Sequence, residues 1–150
     1  MTDTERHALS ERIAEAAQYA GLSHDLLGRY WFCCAAGHEQ TGIREVGEML
    51  VCTAANGHYT CGLPVTLKFV PYDFTDPTYL YPLIQAWIDV DPAYRYVATK
   101  WNPEDREWTC VMTGSPHYWG YAHGPNRAVV EAEAFAKALA SGEGGEHDSR

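Results

Sequence analysis

The feature that most constrains this chain is the clustering of four of its five cysteines between Cys33 and Cys61, in the run Cys33-Cys34-Ala-Ala-Gly-His38 … Cys52-Thr-Ala-Ala-Asn56-Gly57-His58-Tyr-Thr-Cys61. Asn-Gly between two short strands is the strongest local signal for a two-residue type I′ hairpin, because both central residues need positive φ. A hairpin centred on Asn56-Gly57 sets Ala55 opposite His58, Ala54 opposite Tyr59, Thr53 opposite Thr60 and Cys52 opposite Cys61. Both thiols then project from one face of the ribbon. Cys33 or Cys34, with His38, completes four soft ligands for zinc. Strand alternation separates the two neighbouring cysteines, and the shorter separation from His38 favours Cys34. The expected metal ligands are therefore Cys34, His38, Cys52 and Cys61. Four protein ligands make a closed, structural site, whose metal supplies folding free energy to a segment with little core of its own. The spacings, Cys34-x3-His38 and Cys52-x8-Cys61, differ from the paired CxxC knuckles of a standard zinc ribbon. Two readings compete with zinc. Free cysteines serve as small buried hydrophobes, and a Cys52–Cys61 disulfide would staple the hairpin, though a reducing compartment disfavours it.

A length of 150 residues suits one domain, or one domain with a small metal-binding insert. With 46% hydrophobic residues and five tryptophans, a substantial core is within reach. The sequence lacks the apolar stretch of a transmembrane helix. Its start, Met1-Thr2-Asp3-Thr4-Glu5, lacks the basic and apolar regions of a signal peptide, so a soluble cytoplasmic protein with no membrane partner is expected. The net charge of −9 and the scatter of 11 basic residues argue against direct nucleic-acid binding. An acidic surface serves solubility or engages a basic protein partner.

Along the chain, residues 4–20 predict an amphipathic helix with Thr4 as N-cap. Ala8, Leu9, Ile13, Ala16, Ala17 and Ala20 form its apolar stripe, and Gly21 its stop. Arg29–Ala36 reads as a strand, the cysteine hairpin occupies 49–63, and Pro64–Val70 reads as a further strand. After a connector at Pro71–Pro77, Pro82 is placed as the first residue of a short helix. A hairpin follows, Tyr94–Trp101 and Arg106–Thr113 around Asn102-Pro103-Glu104-Asp105, then a short strand at Tyr118–Ala122. A helix over Pro125–Ala140 turns Ala128, Val129, Ala132, Phe135, Ala136 and Leu139 inward. Ser141–Arg150 is rich in Gly and Glu and reads as a disordered tail. This order predicts an α+β fold, an antiparallel sheet with helices packed on it. One domain over 1–140 would carry a Cys/His-rich, zinc-ribbon-like hairpin insert at 29–63.

The C-terminal half carries a resemblance. Trp101-Asn102-Pro103 opens a hairpin turn, Trp108 follows it, and Gly124-Pro125-Asn126 leads into the alanine-rich helix Ala128–Ala140. This pattern resembles the phage ABA-sandwich domain of small phage and prophage proteins. The resemblance implies a helix–sheet–helix fold and a phage or prophage origin, and by analogy interference with a host system such as host defence. It brings no catalytic motif, and the cysteine segment lies outside it.

The segment Ser115–Arg127 offers a second candidate site. His117, Trp119, His123 and Arg127 precede a helix N-terminus, whose free N–H groups hold anions while aromatic rings stack on a base or sugar. The competing reading is ordinary strand alternation with one aromatic face buried. Enzyme signatures are weak. His38-Glu39 shares only part of the His-x-Glu zinc deaminase signature, with no Pro-Cys-x-x-Cys after it. P-loop, Rossmann and Gly-x-Ser-x-Gly patterns are absent. The expectation is a non-enzymatic protein that binds a host protein or a small anionic ligand, and a homodimer through an exposed strand edge is compatible with the sequence. The alternative is a small zinc- or thiol-dependent enzyme centred on Cys33, Cys34 and His38.

Overall fold

Thr2 and Glu5 start the first helix, α1 (Asp3–Tyr19), by satisfying each other's backbone. The Thr2 hydroxyl accepts from the Glu5 N–H at 3.2 Å, and the Glu5 carboxylate accepts from the Thr2 N–H at 3.0 Å. This capping box moves the N-cap from the expected Thr4 back to Thr2, because only the Thr2 frame puts a Glu three residues on. The helix ends as expected. Gly21, at φ 83°, donates to the Gln18 carbonyl while Leu22 donates to Ala17, the paired bonds of a Schellman stop.

The computed structural model describes residues 1–34, 43–47, 49–53, 55–56, 59–114 and 118–143. The chain divides into two units, one made of Met1–Leu27 with Pro71–Arg150, the other of Gly28–Val70. The expected cysteine segment at 29–63 falls within the second unit.

In the first unit, α2 (Pro77–Val90) is capped by Asp76, whose carboxylate accepts from the Thr78 N–H at 2.9 Å. Pro77 rather than Pro82 is its first residue. The Asx cap at Asp76 sets the start five residues earlier than the sequence reading placed it. Pro82 lies on the exposed side of α2, where water can satisfy the Thr78 carbonyl that a proline leaves unpaired. Strands β7 (Tyr96–Asn102), β8 (Glu107–Gly114) and β9 (Tyr118–Gly124) form an antiparallel sheet in that order. Asn102 pairs with Glu107, and Arg106 adopts φ 53° to close the turn between them. The expected hairpin is present, its turn lying one residue further along than predicted.

Helix α3 (Arg127–Glu143) lies on one face of this sheet and also contacts α1 and α2. Asn126 caps it through a 3.2 Å bond from the Val129 N–H. Ser141–Glu143, expected in the tail, continue the helix, and 144–150 lie outside the described residues. Cys110, Met112, Gly120 and Ala122 face inward beneath Val130, Ala134, Phe135, Ala138 and Leu139, all buried. The sheet and α3 approach so closely that a Cβ on Gly120 would overlap the Ala134 carbonyl oxygen and lie 2.7 Å from the Ala138 nitrogen. Trp87 of α2 meets Phe135 edge-on at 5.8 Å between centroids, and Ile13, Leu27, Phe74, Leu80 and Leu83 complete the core. The opposite sheet face exposes Tyr96, Ala98, Lys100, Trp119, Tyr121 and His123.

Among the described residues, the second unit holds three two-stranded pairs. β1 (Gly28–Cys34) pairs with β6 (Val65–Pro71), β2 (Ile43–Val46) with β3 (Met49–Cys52), and β4 (Ala55–Asn56) with β5 (Tyr59–Thr60). Among its described side chains only Cys34, Val51 and Cys52 are buried.

Candidate metal centre

The thiols are brought together by a register different from the one Asn56-Gly57 suggests. Ala55 pairs with Thr60 and Asn56 with Tyr59, so Asn56 is a strand residue. Further down the ladder, the Cys52 N–H donates to the Leu63 carbonyl at 2.8 Å and Gly62 donates to the Cys52 carbonyl at 2.9 Å. Val51 bridges Pro64. Cys52 thus stands opposite Gly62 and Leu63 together, a bulge with Gly62 in its positive-φ position, and not opposite the expected Cys61. The expected positions of Ala54, Gly57 and His58 lie outside the described residues. The turn preference of a single dipeptide is outweighed by the pairing of β3 with β2 on one side and with 62–64 on the other, each bond being worth about 1 kcal/mol.

The bulge breaks the regular alternation of the ladder, and Cys61, the residue just before it, keeps its sulfur close to that of Cys52. Gly62, at φ 67°, curls the chain just past Cys61. On the other side of Cys52, β2 places Ile43 opposite it. β1 lies against β3 and supplies Cys34.

The result is a cluster in which the sulfurs of Cys34, Cys52 and Cys61 all lie within 4.8 Å of one another. Cys34 and Cys52 are buried and Cys61 is half-buried. The Cys34 and Cys61 sulfurs are 3.8 Å apart, well beyond a disulfide bond. With zinc–sulfur bonds of about 2.3 Å, the edge of a tetrahedral site measures about 3.8 Å, so the donor set fits such an ion. The Leu63 amide beside Cys61 favours its thiolate. Desolvation and the neighbouring sulfurs of Cys52 and Cys34 outweigh that effect and hold its pKa above the ordinary thiol value. A cation among the three sulfurs would reverse the balance. Cys34 is in the cluster, and the Cys33 side chain and His38 lie outside what is described. The fifth cysteine, Cys110, is a buried core residue of the other unit, and desolvation raises its pKa.

The residues of the second candidate site are described in part. His117 lies outside the described residues. Trp119 and His123 are exposed on the outer sheet face, where His123 bonds to Glu107 at 2.9 Å. Arg127 is engaged elsewhere: its Nε donates to Glu131 at 3.3 Å, and its guanidinium lies 5.0 Å from the centre of the Trp108 ring.

That contact exposes a group the sequence reading missed. Glu131 is buried, and it also accepts from the Tyr81 hydroxyl at 2.7 Å and the Thr99 hydroxyl at 2.8 Å. One carboxylate thereby ties α2, α3 and β7 together. Burial first, and then the bond to Glu131, raise the Tyr81 pKa. The available signal was position: Glu131 stands three residues after Ala128 and four before Phe135, within the apolar stripe.

No helix among the described residues is long and apolar enough to cross a membrane. Compared with protein families, curated proteins and solved structures, the chain finds no match.

Proposed function

We propose that this chain is a non-catalytic binding protein whose Gly28–Val70 unit is held by one structural zinc. The observation that carries the reading is the 3.8 Å separation of two sulfurs in a three-thiol cluster. Cys34, Cys52 and Cys61 supply three ligands, and His38, four residues after Cys34 in sequence, is the expected fourth. The ion supplies stability to this unit, since metal affinity becomes folding free energy where no site exists in the unfolded chain. A closed site of this kind leaves no open position for substrate, so function rests on surfaces. The resemblance of the C-terminal half to phage ABA-sandwich proteins directs the partner search toward host proteins.

The test is zinc stoichiometry on protein purified without a metal-affinity tag, for the wild type and Cys52→Ser, together with limited proteolysis. One zinc per chain is expected in the wild type and none in the variant. Cleavage in the variant should be confined to 28–70, because the other unit has its own core. A metal-free wild type that resists proteolysis across 28–70 would refute the proposal.

A further inference from the structure

The two edges of the β7–β8–β9 sheet are treated differently by the chain. At the β9 edge, the Trp119 N–H donates to the Ser141 hydroxyl at 2.8 Å, and the same hydroxyl lies 3.1 Å from the Trp119 carbonyl. Lys137 donates to the Tyr121 carbonyl at 2.9 Å. Side chains of α3 therefore occupy the outward backbone groups of Trp119 and the carbonyl of Tyr121, and hinder strand addition along that stretch of β9.

These bonds also fix which groups point outward on β7. In an antiparallel ladder a residue directs both its N–H and its C=O to the same side, alternately along the strand. Trp119 and Tyr121 face away from β8, so Gly120 and Ala122 bond to Met112 and Cys110. Val111 and Thr109 then turn toward β7, where they pair with Ala98 and Lys100. That leaves the N–H and C=O groups of Val97, Thr99 and Trp101 directed outward. Among the described residues, these three backbones have no hydrogen-bond partner. Beside them Trp101, on the face that carries α3, is left 41% exposed.

We propose that β7 pairs antiparallel with β7 of a second copy of this chain, forming a continuous six-stranded sheet. The two-fold register that pairs all of Tyr96–Asn102 is centred on Thr99. It makes Val97 with Trp101, and Thr99 with Thr99, the hydrogen-bonded pairs, which are the residues whose backbone groups are open. It also covers the exposed Trp101 with Val97 of the second copy, twice over. On the outer face Lys100 falls opposite Ala98 rather than opposite another charge. The edge is thus complementary to itself in hydrogen bonds, apolar contact and charge. The net charge of −9 on each copy opposes association, so added salt strengthens it.

Sedimentation of the wild type, Ala98→Lys and Ala98→Glu over a range of concentration and salt tests this pairing. The wild type is expected to shift to twice the chain's mass with rising concentration, more readily at high salt. Ala98→Lys sets lysine against Lys100 of the other copy at two symmetric places and should weaken the dimer about tenfold or more. Ala98→Glu should retain it or tighten it. Ala98 is exposed, so neither change disturbs the monomer, as circular dichroism will confirm. Hydrogen exchange adds an independent readout: the Val97, Thr99 and Trp101 amides should become protected only as the dimer forms. A wild type that stays monomeric at high concentration and high salt overturns the proposal, including one that carries a co-purified peptide on this edge. A dimer unaffected by Ala98→Lys, or broken equally by Ala98→Glu, overturns it as well.

Discussion

Replacing Gly120 by alanine should unseat α3 from the sheet at a cost that can be estimated from the local geometry. The added Cβ would overlap the Ala134 carbonyl oxygen, approach the Ala138 nitrogen to 2.7 Å and the Ala134 carbonyl carbon to 3.0 Å. All three atoms are backbone in mid-helix, so no side-chain rotation relieves the clash. The helix must retreat by about 1 Å, and a gap of that size forfeits a quarter to a half of the dispersion energy along the contact. Core overpacking typically costs 1–3 kcal/mol, and with two rigid backbones opposed the upper value applies, about 3 kcal/mol. For a folded unit near 100 residues this lowers the melting temperature by about 12 °C, at roughly 4 °C per kcal/mol. Urea denaturation of Gly120→Ala beside the wild type, followed by tryptophan fluorescence, measures the loss. A change below about 0.5 kcal/mol, the range of neutral surface substitutions, would show that α3 does not rest on the backbone of β9.

Two further perturbations address the buried carboxylate. Thr99→Val keeps the shape of the side chain but leaves Glu131 one donor short, and should cost about 1–3 kcal/mol in denaturant unfolding. An unchanged midpoint would mean that water replaces the hydroxyl at no cost. The Tyr81 hydroxyl has its pKa raised above the ordinary value of 10.0 by burial and by its bond to Glu131. The folded state then holds this proton more tightly than the unfolded chain. The stabilisation is complete below pH 10 and is lost as pH rises through the higher folded value. Alkaline unfolding in that window should therefore be steeper for the wild type than for Tyr81→Phe, and identical pH slopes would remove Tyr81 from the network.

The legible parts of this fold are those in which side-chain spacing alone selects the element. The apolar stripe of residues 4–20 and that of 125–140 become α1 and α3, and the alternation on either side of Asn102-Pro103 becomes β7 and β8. The cysteine cluster was legible for a related reason. A hairpin between Cys52 and Cys61 sets the two on adjacent stretches of chain, so the three thiols meet even though a bulge at Gly62-Leu63 replaces the expected pairing. The start of α2 was missed because proline is compatible with several helix positions, and the Asp76 cap outranked Pro82.

What the sequence determined by itself was therefore local: which stretches are helical, which alternate, and which cysteines lie on neighbouring stretches of chain. The choices left to tertiary structure were those in which the competing local options differ by about 1 kcal/mol or less. Pairing of β3 on both its sides chose the register that Asn56-Gly57 had not. Glu131 is a charged residue on an apolar stripe, a position that reads as a fault until Tyr81 and Thr99 arrive from α2 and β7 to satisfy it. Which edge of the sheet is obstructed was also settled only by folding, when α3 carried Ser141 and Lys137 to the Trp119–Tyr121 stretch of β9 and left β7 open. Hydrogen bonds between residues far apart in sequence are invisible to spacing, and they are what made these choices.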